Sequence, residues 1–350
     1  MSISIGISGL GRIGRLLFRQ CIQSHNVKVC AVSDCLDAIE NFAYLLRYDS
    51  TYGPLSTSVE VGRSGQSLIC GEQEIVFNCT NCIDDINWST LGADIVFDCS
   101  GVQANATRAS NILHGRCKHV VITHVPTSPV DLTVIMGINE EQLGLNKSAV
   151  ISASICDANA ICHLIKAIDS FNPITTGFIT TLHPWLAYQG LLDKPILSQA
   201  MPSHLWGDFA LGRASTNTLI PKSTTVIHAI EMAMPQFSGR FSGMSFRVPT
   251  SSVCAAELTL LLQSTLTKEE LNDHLISCFA DSRYVQLNQE PLVSLDYRGR
   301  DSSVTIDLQW TEVAGGKLAK VIAWYDNEWG YVCRLLDVAQ HIERSTAPYP

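Results

Sequence analysis

The 350 residues predict a two-part chain: an α/β domain with a doubly wound, mostly parallel sheet, then an α+β domain with a mainly antiparallel sheet. Two observations predict it. Up to about residue 150, short aliphatic runs alternate with helix-length amphipathic pieces, the rhythm of strand–helix–strand units. Beyond that point longer strand-like runs follow one another with fewer helices between them, as antiparallel sheets require.

The elements follow in order. Ile3, Ile5 and Ile7 alternate with small residues and read as the first strand. Residues 13–21 carry Leu16, Leu17 and Phe18 and read as a helix, and 27–32 as the second strand. Residues 95–97 and 119–123 read as two more strands. In the second half the helix 158–168 precedes strand-like runs at 175–183, 240–249, 253–262 and 303–308, and 337–344 closes the chain as a helix.

Composition narrows the class. Hydrophobic residues make up 46% and charged residues 16%, against an ordinary charged share of about 25%. Such a chain buries a large core and is not disordered. Lys and Arg total 24 against 33 Asp and Glu, a net charge of −9, which argues against a nucleic-acid partner. No apolar run approaches the roughly 20 residues of a membrane span, and the first residues lack the pattern of a secretory signal. The expectation is a cytoplasmic protein whose 13 cysteines are free thiols, mostly buried. Cys79 and Cys82 form a CxxC without a second pair at zinc spacing, so no metal is expected.

Gly9-Leu10-Gly11-Arg12-Ile13-Gly14 is a GxGxxG turn between the first strand and first helix, and Asp34 ends the next strand twenty residues after Gly14. Each part has a physical task. Gly9 permits the tight turn, Gly11 lets backbone amides approach a pyrophosphate, and Gly14 lets helix and strand pack closely. The helix N-terminus attracts the phosphates. Asp34 accepts from the ribose hydroxyls and repels a 2′-phosphate, so the expected cofactor is NAD rather than NADP. This makes the first domain a Rossmann-type NAD-binding domain.

Cys156 follows a strand-like piece and precedes a helix, a position that lowers a thiol's pKa. His183 ends the β-branched run 179–181 and is the candidate base. A thiolate, a proton acceptor and a hydride acceptor are the parts needed to oxidise an aldehyde through a thioester. Cys162 and His163, further along the helix, read as core. His124, near the expected cofactor edge, is a secondary candidate for touching NAD.

At this point the chain resembles the glyceraldehyde-3-phosphate dehydrogenase family along nearly its whole length. The runs GISGLGRIGR at 6–15, LRYDSTYG at 46–53, FRVPT at 246–250 and WYDNEWGY at 324–331 carry the resemblance. It implies Cys156 as nucleophile, His183 as its base, and Asn327 and Tyr331 beside the nicotinamide. Arg12, Ile13 and Thr123 join the glycines as expected cofactor contacts. It also implies a homotetramer, and an NAD-binding domain 1–151, a catalytic domain 152–320 and a C-terminal segment 321–350 packing back on the first domain.

The departures from the family are concentrated at the substrate. The family's Ser before the cysteine and two Thr after it are here Ile155, Asp157 and Ala158. Leu186 replaces its phosphate-binding Thr, Leu211 its phosphate-site arginine, and the loop from His183 to Arg213 is longer. Thr224, Arg247 and Arg213 survive as substrate contacts, with Asp157 beside them. The resulting expectation is NAD-dependent oxidation of a small aldehyde, phosphonate or otherwise anionic, with water oriented by Asp157 as the acyl acceptor. The ordinary phosphorylating reaction is the alternative, with Lys194 or His204 of the longer loop considered as replacement donors and read as solvent-exposed. A non-catalytic NAD-binding regulator is the alternative of another class.

Overall fold

A computed structural model describes residues 2–144, 148–202 and 204–346. Positions 1, 145–147, 203 and 347–350, which belong to the three expected segments, lie outside the described residues.

The first sheet has nine strands. Its parallel part runs Leu132–Thr133, Ala149–Ser152, His119–Ile122, Ile95–Asp98, Ile3–Ser8, Val27–Asp34 and Gln73–Cys79. Two antiparallel strands, Ser67–Cys70 and Val59–Val61, finish one edge. Both faces of the central strand are covered: Ile5 and Ile7 are fully buried on one, and Gly6 and Ser8 are buried on the other. Gly6 is small because the Trp88 ring packs on it; a Cβ there would stand 2.4 Å from the ring. The helix Arg12–Gln23 buries Leu16, Leu17 and Phe18 on this sheet. The terminal helix Trp329–Thr346 packs beside it through Val332, Leu335 and Val338.

The second sheet has seven strands in the order Ile220–Lys222, Phe241–Arg247, Ile174–His183, Cys254–Leu262, Leu318–Tyr325, Val304–Ala314 and Val285–Asn288. It is mixed but largely antiparallel. Ile174–His183 runs parallel to Phe241–Arg247, and Val285–Asn288 parallel to Val304–Ala314. The helices Cys156–Phe171, Val226–Ala233 and Lys268–Phe279 cover one face. The last of them starts on a capping box in which Thr267 and Glu270 satisfy each other's backbone amides.

Several elements exceed their expected extent. Leu318–Tyr325 is a strand that the sequence analysis does not include, although its buried residues alternate with exposed or half-buried ones as a strand's do. The closing helix starts at Trp329 rather than 337. Among the described residues no helix is long and apolar enough to cross a membrane.

Candidate active site

One cleft of about 710 Å³ joins the two sheets and is lined by both the glycine turn and the Cys156 region. It opens at the carboxyl ends of Ile3–Ser8 and Val27–Asp34, where doubly wound sheets bind their ligands.

The glycine turn has the shape of a cradle. Gly9 lies at φ +92, and a Cβ there would meet the Ser100 backbone at 2.6 Å. A Cβ on Gly14 would strike the Gly9 carbonyl at 1.9 Å, so helix and turn touch only through glycine. Gly11 has nothing within 4 Å of that position, leaving its backbone open on the cleft side. Asp34 lines the cleft and accepts from the amides of Leu10 at 2.8 Å and Leu36 at 3.2 Å. A carboxylate has four acceptor sites, so both ribose hydroxyls can still be met. Arg12 is committed elsewhere: it bridges Asp49 at 2.6 Å and Glu328 at 2.5 Å, tying the turn to the C-terminal segment. Arg12 nonetheless lines the cleft beside the turn.

The nicotinamide end is prepared as well. Asn327 lines the cleft with its buried Oδ1 unpartnered, an acceptor that a carboxamide N–H would satisfy. Tyr331 is buried and donates to the Ser154 carbonyl at 3.1 Å. Ile13 and Thr123 line the same cleft, and the Thr123 hydroxyl donates to the Asp98 carbonyl. The residues present thus fit NAD. His124 does not line the cleft; burial lowers its pKa to about 4 and leaves both ring nitrogens unpartnered. His163 is likewise core, stacked on Tyr284.

The turn before Cys156 is held under strain. Ser154 adopts φ 58, a left-handed conformation costly for a non-glycine residue. Asn159 clamps the turn by donating to the carbonyls of Ala153 and Ile155, both at 3.0 Å. The helix then begins at Cys156 itself.

The expected direct pair of Cys156 and His183 is not what forms. Asp157, only 4% exposed, turns inward and stands between them. The Cys156 thiol donates to Asp157 Oδ1 at 3.3 Å, and Asp157 Oδ2 lies 3.1 Å from His183 Nε2. Tyr325 donates to the same Oδ1 at 2.9 Å. The other ring nitrogen, Nδ1, faces the Cys254 thiol at 3.2 Å. An ionised carboxylate only accepts, so Nε2 carries a hydrogen toward Asp157, while Nδ1 is taken up by Cys254. His183, expected as the direct partner of Cys156, turns its two ring nitrogens to Asp157 and Cys254, and the Asp157 carboxylate is the Cys156 thiol's partner.

Electrostatics agree with this geometry. Burial alone would raise the Asp157 carboxyl, but the His183 imidazole, with hydrogen bonds from Cys156 and Tyr325, holds it at about 2. The Cys156 thiol is pushed well above its usual range, by burial first and by Asp157 second, with Arg247 acting in the opposite direction. The expected lowering by the helix N-terminus is outweighed.

Two cross-strand rows build the rest of the site. Register places His183 beside Arg247, and Arg247 beside Ile220; one step away on the same face lie Thr181, Ser245 and Lys222. Thr181 Oγ1 is 3.0 Å from His183 Nε2 and 2.6 Å from Ser245 Oγ. Arg247 and Thr224 both line the cleft. Arg213 does not: it is largely exposed and pairs with Asp193 at 2.8 Å on the loop, which removes it from the substrate contacts. Leu211 is fully buried in the loop's own small core with Ile196 and Ile220. Lys194 and His204 also lie outside the cleft, whereas Lys222, which the sequence reading passed over, lines it. Among the described residues no cluster suits a metal, and Cys82 of the CxxC accepts from Arg108.

Comparison with known proteins places this geometry in context. Residues 3–106 match the family description "Glyceraldehyde 3-phosphate dehydrogenase, NAD binding domain", and 155–327 match its C-terminal domain. The chain is 33% identical over 344 residues to a glyceraldehyde-3-phosphate dehydrogenase of Geobacillus stearothermophilus, covering 98% of both chains. It is 33% identical to glyceraldehyde-3-phosphate dehydrogenase 1 of Bacillus subtilis, over 98% of this chain and 99% of that one. A relative from Zea mays named "Glyceraldehyde-3-phosphate dehydrogenase 3, cytosolic" is 33% identical over 97% of this chain and 98% of its own.

Proposed function

We propose a function on this premise: the chain belongs to the glyceraldehyde-3-phosphate dehydrogenase family and is an NAD-dependent oxidoreductase acting on a small molecule. The reading is oxidation of a small anionic aldehyde through a thioester on Cys156. The observation that carries it is the hydrogen-bonded line Cys156–Asp157–His183 at the floor of the cofactor cleft.

The half-buried Cys156 thiol, whose ionisation Asp157 and its apolar surroundings oppose, keeps its proton at rest and loses it as the bond to carbon forms. Cys156 Sγ adds to the aldehyde carbon while its proton passes to Asp157 Oδ1. His183, on the other carboxylate oxygen, supports the charge of this pair. The Cys156 amide, in the helix first turn without an intrahelical acceptor, donates to the developing oxyanion. Bound NAD supplies the hydride acceptor. Loss of hydride from the substrate carbon leaves an acyl group on Sγ.

Once the hydride has left, the proton held on Asp157 Oδ1 is released to solvent through the cleft, and the ionised oxygen can then hold a water. The water attacks the thioester carbon as Asp157 takes one of its protons, the C–S bond breaks, and that proton passes from Asp157 to Cys156 Sγ as the acid product leaves. A phosphate ion in that place would meet the Asp157 charge at a cost of about 4 kcal/mol at 4 Å in a medium of effective dielectric near 20. A second reading keeps phosphate as the acyl acceptor, and the presence of Lys222 and Arg247 in the same cleft favours it. NADH formation from glyceraldehyde 3-phosphate, with and without phosphate, separates the two. Strict dependence on phosphate excludes water as acceptor. NAD binding without turnover of any aldehyde makes the chain a binding protein instead.

The assembly proposed is a homotetramer. Phe178, 65% exposed, with Leu182 and Met244 forms an uncovered apolar face on adjacent strands of the second sheet, which supports contact with another copy. The name of the maize relative supports a cytoplasmic placement.

A further inference from the structure

The run 184–188, directly after His183, lines the cleft along its whole length, as does Ile155 directly before Cys156. None of these side chains is charged, and their only polar groups are the Trp185 N–H and the Tyr188 hydroxyl. The backbone fixes the run. The Trp185 amide donates to the Thr250 carbonyl at 3.2 Å. A β-turn follows: the Gln189 amide donates to the Leu186 carbonyl at 3.0 Å, and Gln189 Oε1 accepts from the Leu186 amide at 2.7 Å. Tyr188 stacks on Trp206 at 5.8 Å and packs on Ile196, Leu211 and Ile220, so the loop's own small core holds the far end of the run.

This wall stands beside the reacting groups. Arg247 Nη1 donates to the Pro184 carbonyl at 3.1 Å. The Arg247 charge also reaches the Tyr188 hydroxyl, where it opposes the upward pull of burial on the pKa. Leu186 and Tyr188 are half-buried and Trp185 is 39% exposed, so apolar surface remains for a ligand to cover. A methylene or a ring laid on that surface leaves water favourably. A hydroxyl laid there gives up its hydrogen bonds to water and finds no partner on Leu186 or Ile155.

We propose that the run 184–188, with Ile155, selects an aldehyde whose carbon skeleton is apolar, an alkyl or aryl body, over one that carries hydroxyls beside the reacting carbon. Leu186 and Trp185 are the specificity-determining residues. The inference deepens the aldehyde-oxidising reading and rests on it for its purpose but not for its test.

The test is calorimetric binding of propyl phosphate, benzyl phosphate and glycerol 3-phosphate to the NAD-loaded protein. All three carry the same anion, and propyl phosphate differs from glycerol 3-phosphate only in lacking its two hydroxyls, so the ratio of their affinities reports on the body alone. Propyl phosphate is expected to bind about tenfold or more tighter than glycerol 3-phosphate, within the roughly hundredfold reach of an apolar wall against an added hydroxyl. Benzyl phosphate is expected to bind tighter still, through its ring on Trp185. Leu186→Thr, which puts a hydroxyl into the wall, is expected to bring the propyl-to-glycerol ratio toward one. The ratio in the unaltered protein decides the matter alone if the variant does not fold. Glycerol 3-phosphate binding as tightly as propyl phosphate, a ratio unmoved in folded Leu186→Thr, or no binding of any of the three overturns the proposal. Because binding is read without turnover, a protein that prefers the apolar bodies but oxidises no aldehyde defeats only the catalytic reading.

Discussion

Asp157 Oδ2 lies 3.1 Å from His183 Nε2, and the other oxygen of the same carboxylate accepts the Cys156 thiol. One buried carboxylate therefore occupies the space between the Cys156 thiol and the imidazole. It raises the thiol's pKa and at the same time offers a place for the thiol's proton. These two effects have opposite consequences for reactivity, which makes them separable.

Asp157→Asn keeps the shape and removes the charge. The rate of Cys156 alkylation by iodoacetamide is then expected to rise at lower pH, its midpoint moving down by about one unit or more. Aldehyde turnover is expected to fall about a hundredfold or more, because the proton acceptor is lost. Alkylation profiles and steady-state rates on the same preparation check both. A variant with an unmoved alkylation profile and unchanged turnover would show that Asp157 neither restrains the thiol nor takes its proton.

The same pair sets an acid limit on stability. Asp157 titrates at about 2 in the folded chain against an ordinary 3.8. The folded value is the lower one, so the contribution is complete above the ordinary value and is lost as pH falls from about 4 toward 2. The gap corresponds to about 2 to 3 kcal/mol. Urea unfolding of the unaltered protein and Asp157→Asn, near pH 6 and near pH 3, is expected to show a difference that narrows in acid. A difference independent of pH would place its origin in packing.

Arg213 and Arg247 are separated by their settings. Arg213→Ala removes an exposed pair with Asp193, worth less than about 1 kcal/mol, and is expected to leave KM for an anionic aldehyde unchanged. Arg247→Ala removes a cation in the cleft and is expected to raise that KM roughly tenfold or more. Initial rates over a range of aldehyde concentration decide the matter, and a KM effect at Arg213 equal to that at Arg247 would restore the loop arginine to the site.

Local chemistry was readable where one segment carried it. The alternation of Ile3, Ile5 and Ile7, the three glycines and Asp34 specify strand, turn and ribose acceptor within one unit, and the structure places them together. Cys156 at a helix start was readable for the same reason. What the sequence left open depends on distant segments. Whether Asp157 faces phosphate or His183 is decided by Tyr325, 168 residues away, which fixes its carboxylate inward. Lys222 reaches the site only through its register with Ser245, which no spacing announces. Arg213 was misplaced because the longer loop folds on its own small core around Leu211, so its length gave no guide to where its side chains point. Cys254 had no signal at all: its role beside His183 comes from the pairing of two antiparallel strands.

The central claim is a thioester on Cys156, and the most direct measurement is its capture. The protein is mixed with NAD and glyceraldehyde 3-phosphate in phosphate-free buffer, quenched in acid within the first turnover, digested and weighed by mass spectrometry. The account predicts an acyl group on the peptide carrying Cys156, formed in step with the NADH burst and absent from Cys156→Ala, which forms no NADH. NADH produced while Cys156 stays unmodified, or full turnover by Cys156→Ala, would contradict it.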